Sequence, residues 1–220
     1  MKKRVVFLAI LLLALLSTGV AQADILFNNF GAGDTYDTSF GWTVSGSTSQ
    51  NPQFEPAMSF TPSTTAHLSS IDFVTSMLSG TNEVMLSLVN DSGGAPLGLA
   101  LESWTFINQM GTLGSNPSVL TADSVVHPLL DVGTTYWLVA SPPVSDTWAG
   151  WNFNSIGDTG TVLFSLDGGA GWGTLGYTEP ITRGVFRVNS TAVPEPSTFL
   201  LLGAGLAGVG LLRRRFKNSR

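Results

Sequence analysis

The sequence contains no cysteine. No disulfide can staple the fold, so stability must come from packing or from bound ions. Lysine is missing from residues 24–196, which keep only Arg183 and Arg187 against all 15 acidic residues of the chain. Two arginines set against fifteen carboxylates leave that stretch with a net charge of −13. Such a surface repels nucleic acid, and anionic polysaccharide and lipid with it, so nucleic acid is excluded as a partner. Histidine is almost absent, with His67 and His127 the two in the chain. Nucleophilic hydrolysis needs a base oriented beside its nucleophile, and no Gly-x-Ser-x-Gly elbow occurs. Two histidines without helical or paired spacing make no zinc site. His127 precedes Pro128 in a strand-like run, where an edge histidine, solvated or hydrogen-bonded, is expected. A glycosidase would need two facing carboxylates, and the sequence singles out no such pair. No catalytic residue is assigned, and the expected class is not an enzyme.

A helical period is also missing: no stretch between residues 24 and 191 sustains one over three turns. Alternating, β-branched and aromatic runs are there instead, broken at short intervals by Gly, Pro, Asn, Asp and Ser. They predict strands near Ile25–Phe30, Gly41–Ser45, Ala57–Thr61, Leu68–Thr75, Glu83–Asn90, Leu99–Phe106, Ser124–Leu130, Thr135–Ser141, Gly150–Asn154, Thr161–Leu166 and Gly184–Val188. Long loops are expected at Phe30–Gly33 and Thr43–Pro52, and turns at Asp91-Ser92-Gly93-Gly94, Asp158-Thr159-Gly160 and Asp167-Gly168-Gly169. In Val84–Asn90 the apolar residues fall on both faces, which suggests a strand covered on both sides. Many short strands with regular turns predict an all-β fold, an antiparallel β-sandwich of jelly-roll-like type. The runner-up, an immunoglobulin-like sandwich, lacks its Cys–Trp–Cys signature.

The two ends have a different composition. Lys2, Lys3 and Arg4 precede an apolar run from Val5 to Leu16, and Ala21-Gln22-Ala23 closes the segment in a small-x-small pattern. These are the parts of a signal peptide over residues 1–23, with Ala21 and Ala23 marking the signal peptidase site and Asp24 beginning the mature chain. The alternative is an uncleaved N-terminal anchor. At the other end, Pro194-Glu195-Pro196 precedes an apolar, glycine-rich stretch and the basic run Arg213, Arg214, Arg215. Each proline lacks a backbone N–H and fixes φ, so the motif is expected to be extended and open to a protease. Ser197 can cap a helix over 197–212, about 24 Å long at ~1.5 Å per residue. That is short for a permanent transmembrane helix, at a modest mismatch cost. The arginines act as a membrane stop, holding residues 213–220 in the cytoplasm.

Pro-Glu-Pro, short apolar helix and arginine cluster, in that order over residues 192–216, resemble the PEP-CTERM sorting signal of Gram-negative bacteria. The resemblance implies an exosortase, a polytopic membrane cysteine protease, as the partner that recognises Pro194, Glu195 and Pro196 and cuts near them. It implies transient anchorage in the inner membrane with residues 24–191 in the periplasm, then delivery to the cell surface or extracellular matrix. An ordinary single-pass anchor is the alternative. The segments Tyr136–Ser141, Trp151–Asn154 and Val185–Val188 together resemble the choice-of-anchor domains, extracytoplasmic β domains that occur with various sorting tails. That likeness implies location and fold, and no activity.

No cofactor is expected. Calcium is the one ion with candidate ligands, since Asn90-Asp91, Asp158 and Asp167 stand beside glycines and a hard cation takes six to eight oxygens from such loops. The same residues are ordinary hairpin turn formers, and neither an EF-hand nor a nonapeptide repeat is present. For a polysaccharide ligand, Trp148, Trp151 and Trp172 are the candidate stacking faces, with core packing as the competing role. The expected function is that of a non-enzymatic exported surface or matrix protein. A carbohydrate-binding module that tethers to exopolysaccharide is the alternative, and a hydrolase with unassigned carboxylates is the second.

Overall fold

The computed structural model describes residues 24–50, 52–115, 117–191, 203 and 205. The signal peptide, the Pro194–Pro196 motif, the membrane-stop arginines and all of the 197–212 segment except Gly203 and Gly205 lie outside the described residues. Gly203 and Gly205 are both helical. Among the described residues no helix is long and apolar enough to cross a membrane.

Fifteen strands follow one another in the described chain. They begin with β1 (Ile25–Asn28), β2 (Tyr36–Ser45), β3 (Glu55–Phe60), β4 (Ala66–Ser79) and β5 (Glu83–Asn90). Then come β6 (Ala100–Ile107), β7 (Gly111–Thr112), β8 (Ser118–Asp123), β9 (Leu129–Leu130) and β10 (Tyr136–Ser141). The series ends with β11 (Trp148–Asn154), β12 (Thr159–Gly160), β13 (Val162–Ser165), β14 (Ile181–Thr182) and β15 (Phe186–Ser190). One sheet runs β1-β15-β4-β11-β2, and the second runs β13-β3-β10-β5-β6. The long β4 is the spine of the first sheet. Along one side it pairs with β15 and then β11, and along the other with β9, β8 and β7. All pairs are antiparallel except β4 with β7. Successive strands alternate repeatedly between the two sheets, so the expected antiparallel sandwich is present, with crossovers of jelly-roll-like kind.

The period-2 geometry of strands explains which residues meet in the middle. Ile71 and Phe73 of β4, Trp151 of β11 and Phe186 and Val188 of β15 face Met58, Leu86, Leu88 and Leu138 of the other sheet, all in one buried cluster. A second, smaller cluster lies on the outer face of the second sheet, where Ala57, Trp137, Val139, Val89 and Leu163 are covered in part by Ala95 and Trp172. This outer layer is why β5 and β10 read as apolar on both faces.

Two sequence expectations need correction. Residues 124–128 are no strand: β8 ends at Asp123, and Ser124–His127 form a turn whose amides are claimed by Glu102. His127 sits in that turn at φ 50°, not on a strand edge. The loop expected from Thr43 begins at Gly46 instead, because β2 continues through Ser45 in register with Trp148.

Candidate functional site

The side chains with chemistry to offer are mostly spent inside the fold. Asp158 accepts from Asn29 Nδ2 (3.0 Å) and pairs with Arg183 (3.2 Å). Its backbone is clamped by Asn154, whose Oδ1 accepts from the Asp158 amide (2.8 Å). Asp167 accepts from Ser165 Oγ (2.7 Å) and the Gly171 amide (2.9 Å), and these hydrogen bonds, Ser165 first, hold its carboxyl below the usual range. Asp91 accepts from Trp137 Nε1 (2.7 Å) and the Gly94 amide (3.2 Å). Gly93 and Gly94 adopt φ 67° and 85°, the left-handed geometry this turn requires. At each of the three candidate calcium turns the aspartate thus serves its own loop or an arginine. Among the described residues no three histidine or acidic side chains converge to hold a metal ion.

The three tryptophans proposed for stacking do not share a surface. Trp151 is fully buried and donates its indole N–H to Val185 O (3.0 Å), so it has no face to offer a sugar, which corrects the expectation for that residue. Trp148 lies an odd number of residues away on β11 and therefore points to the outside of the first sheet. Its indole N–H is buried without an acceptor among the described residues. Trp172 packs on the outside of the second sheet and donates to Gly169 O (3.1 Å). One indole is thus in the core and the other two are on opposite sides of the sandwich.

The structure brings together a different set. A depression of about 430 Å³ opens where β3 ends and β10 begins, lined by Thr61, Asp91, Thr135, Thr161 and Arg183, with Trp137 and Phe27 among its apolar walls. Its volume falls within the range of small-ligand sites, roughly 300–1,000 Å³. Arg183 lies over the Phe27 ring (5.4 Å to the centroid), and its Nε is buried without an acceptor among the described residues. A Cβ on Gly160 would fall 1.8 Å from the guanidinium, so glycine at 160 is what lets the arginine lie flat. Sequence reasoning missed this set because its members come from six separate segments, and each reads locally as turn, core or surface.

The histidines form no dyad. His67 Nδ1 meets His127 O (2.8 Å) and His127 Nδ1 meets Leu68 O (2.9 Å), so each ring donates to a backbone carbonyl beside the other. Glu55 is nearly buried at the start of β3; burial pushes its carboxyl up, its hydrogen bond from Gln53 opposes this, and Asp167 adds to it.

No curated protein and no solved structure matches the chain. The family model of the PEP-CTERM protein-sorting motif matches residues 192–215, immediately after the last described residue of the sandwich. The chain therefore carries a PEP-CTERM sorting motif, which implies export through a membrane to the cell surface with an exosortase as its processing partner.

Proposed function

We propose that the protein is a non-enzymatic surface or matrix protein whose sandwich is the cargo of its sorting signal. Signal peptidase cuts after Ala23, residues 197–212 hold the chain in the inner membrane, and Arg213–Arg215 stop its transfer. The exosortase then cuts near Pro194-Glu195-Pro196 and delivers residues 24 onward to the surface or matrix. Kinship with the choice-of-anchor domains belongs to this reading. The observation that carries it is the sorting motif joined directly to a β domain. The engagement of Asp91, Asp158 and Asp167 in structural hydrogen bonds supports a role without catalysis. The test is the intact mass of the protein recovered from envelope or medium. A chain that begins at Asp24 and ends near residues 194–196 is expected, and Pro194→Ala/Pro196→Ala should retain the tail. A recovered wild-type chain that still carries Arg213–Arg215 would sink the reading.

The 430 Å³ depression favours one second reading, a carbohydrate-binding module. Thr61, Thr135 and Thr161 offer hydroxyls, and Asp91 keeps acceptor capacity beyond its two internal bonds. Neutral sugars fit this lining better than acidic ones, given the charge of the domain. Retention on a panel of neutral oligosaccharides that survives Trp148→Ala and Trp172→Ala but is lost in Thr135→Ala/Thr161→Ala is the expected pattern.

A further inference from the structure

The Asp24 amide donates to Ser190 Oγ (3.0 Å), the Ser190 amide donates to Asp24 O (2.8 Å), and the Thr191 amide donates to His67 O (2.9 Å). The first and last residues of the domain therefore leave side by side, at the start of β4. Around that exit the apolar residues point outward: Ile25 on β1 (50 % exposed), Val125 (84 %), Val126 (64 %), Leu129 on β9 (49 %) and Val132 (57 %). Register and hydrogen bonds set them about the start of β4, with His67 and Asn189 among them, and the bond from His127 Nδ1 to Leu68 O (2.9 Å) ties the Val125–Val126 tip there. Leu129 stands opposite His67, Ile25 opposite Asn189, and the Val132 amide donates to Thr65 Oγ1 (3.0 Å).

Val125 and Val126 are not loose. The Glu102 carboxylate accepts from both of their amides (2.7 and 3.2 Å) and from Ser124 Oγ (2.6 Å). Ser124 Oγ in turn accepts from the His127 amide (2.9 Å). This clamp thus fixes a tight turn whose tip is two adjacent β-branched apolar side chains in water. Folding gains nothing from that placement, and clustered exposed apolar residues mark an interaction surface.

What this surface faces follows from the length of chain beyond it. Six residue steps separate Thr191 from Ser197, a reach of at most about 20 Å when fully extended. We propose that the patch of Ile25, Val125, Val126, Leu129 and Val132 is a membrane-seating surface. While residues 197–212 hold the chain in the bilayer, the patch rests in the zwitterionic headgroup layer of the same membrane. The inference rests on the reading of 197–212 as membrane-seated. The tether supplies an effective concentration of the order of millimolar, so a weak partition suffices. Release by cleavage removes the tether, and the acidic domain then leaves. None of the patch residues is lysine or arginine, and the domain around them is strongly acidic, which fixes the lipid class: neutral headgroups are compatible, and anionic ones repel.

Because the chain has no cysteine, a single label site can be introduced at will. Val126→Cys, and Ser145→Cys at the far end of β4, about 40 Å away at ~3.3 Å per residue, are labelled with an environment-sensitive fluorophore. Each full chain is reconstituted into phosphatidylcholine vesicles and floated. Flotation reports the tail, and the label reports the patch. Expected are a blue shift and quenching by doxyl-labelled lipid at 126 and neither at 145, with the shift at 126 shrinking as phosphatidylglycerol is added. In a Val125→Ser/Val126→Ser chain, a label at Val132→Cys should lose its shift while flotation persists. A floated chain whose label at 126 is as water-exposed as that at 145 overturns the proposal and leaves the tail reading intact. A chain that does not float overturns both. A concentration-dependent shift at 126 without lipid assigns the patch to a second copy of the chain and overturns it, as does a shift that strengthens with anionic lipid.

Discussion

Arg187 lies over the Phe30 ring (5.3 Å to the centroid) and between two carboxylates, Asp72 (2.9 Å) and Asp34 (2.7 Å). Burial alone would lower its basicity, but hydrogen bonds and charge from Asp34 and Asp72 outweigh this and hold the guanidinium above its ordinary range. Asp72 is nearly buried and also accepts from Thr121 and Asn189. Removing the cation strands a buried carboxylate, so Arg187→Ala is expected to cost about 3–5 kcal/mol in urea unfolding. Arg187→Met combined with Asp72→Asn should recover most of that loss. Glu55 gives the opposite sign. Its raised pKa means that the fold favours the protonated form. Its favourable contribution is complete below the unfolded value of about 4.3 and is lost as pH rises through the folded one. Asp167, with a lowered pKa, contributes above its unfolded value of about 3.9 and loses that contribution as pH falls. Glu55→Gln should therefore be more stable than the parent near pH 7 and indistinguishable from it near pH 3.5, by denaturant midpoints at the two pH values. A variant that is weaker at pH 7 would mean that the carboxylate form is the one the site prefers.

At the scale of elements, the turn from β4 to β5 is the most constrained. Gly80 adopts φ 80°, and a Cβ there would fall 1.8 Å from the Asp146 carbonyl oxygen, a backbone atom with little room to yield. Gly80→Ala combines the left-handed penalty with overpacking and should cost about 2–4 kcal/mol by thermal or denaturant unfolding. A loss below ~1 kcal/mol would mean that the turn reshapes. Glu83–Asn90 and Tyr136–Ser141 are legible because both faces of these strands are apolar, so no partner needs to be known to recognise them. Val125-Val126 misleads for the same reason: β-branched neighbours resemble a strand, and only Glu102, 23 residues away in sequence, turns them into a tip. β8 escapes notice because Leu120 and Ala122 alone face the core, with Thr121 and Asp123 exposed. The depression beside Trp137 was equally hidden, since the fold and not the sequence brings Thr61, Thr135 and Thr161 to one rim. The sorting signal lies at the other extreme. Its three parts are contiguous, and a match at residues 192–215 needs no tertiary structure.

For the whole molecule, the consequence is a domain that closes before its tail begins. β15 lies between β1 and β4, with Phe186 and Val188 fully buried, and the bonds joining Asp24 to Ser190 and Thr191 to His67 complete the sheet. Residues Asp24–Thr191 form one compact unit. A cut at any point after Thr191 removes none of the described strands and no described core side chain. Chains spanning 24–191 and 24–196 should therefore unfold at midpoints within about 2 °C of each other, a difference of at most about 1 kcal/mol for a domain of this size. A chain ending at Val185 loses β15, exposes the edges of β1 and β4, and should show no cooperative transition. Equal midpoints for the first pair mean that the exosortase has latitude in where it cuts without endangering its cargo. A clearly lower midpoint for 24–191 would place stabilising contacts between residues 192 and 196, and the cut site would then be set by the fold as well as by the protease.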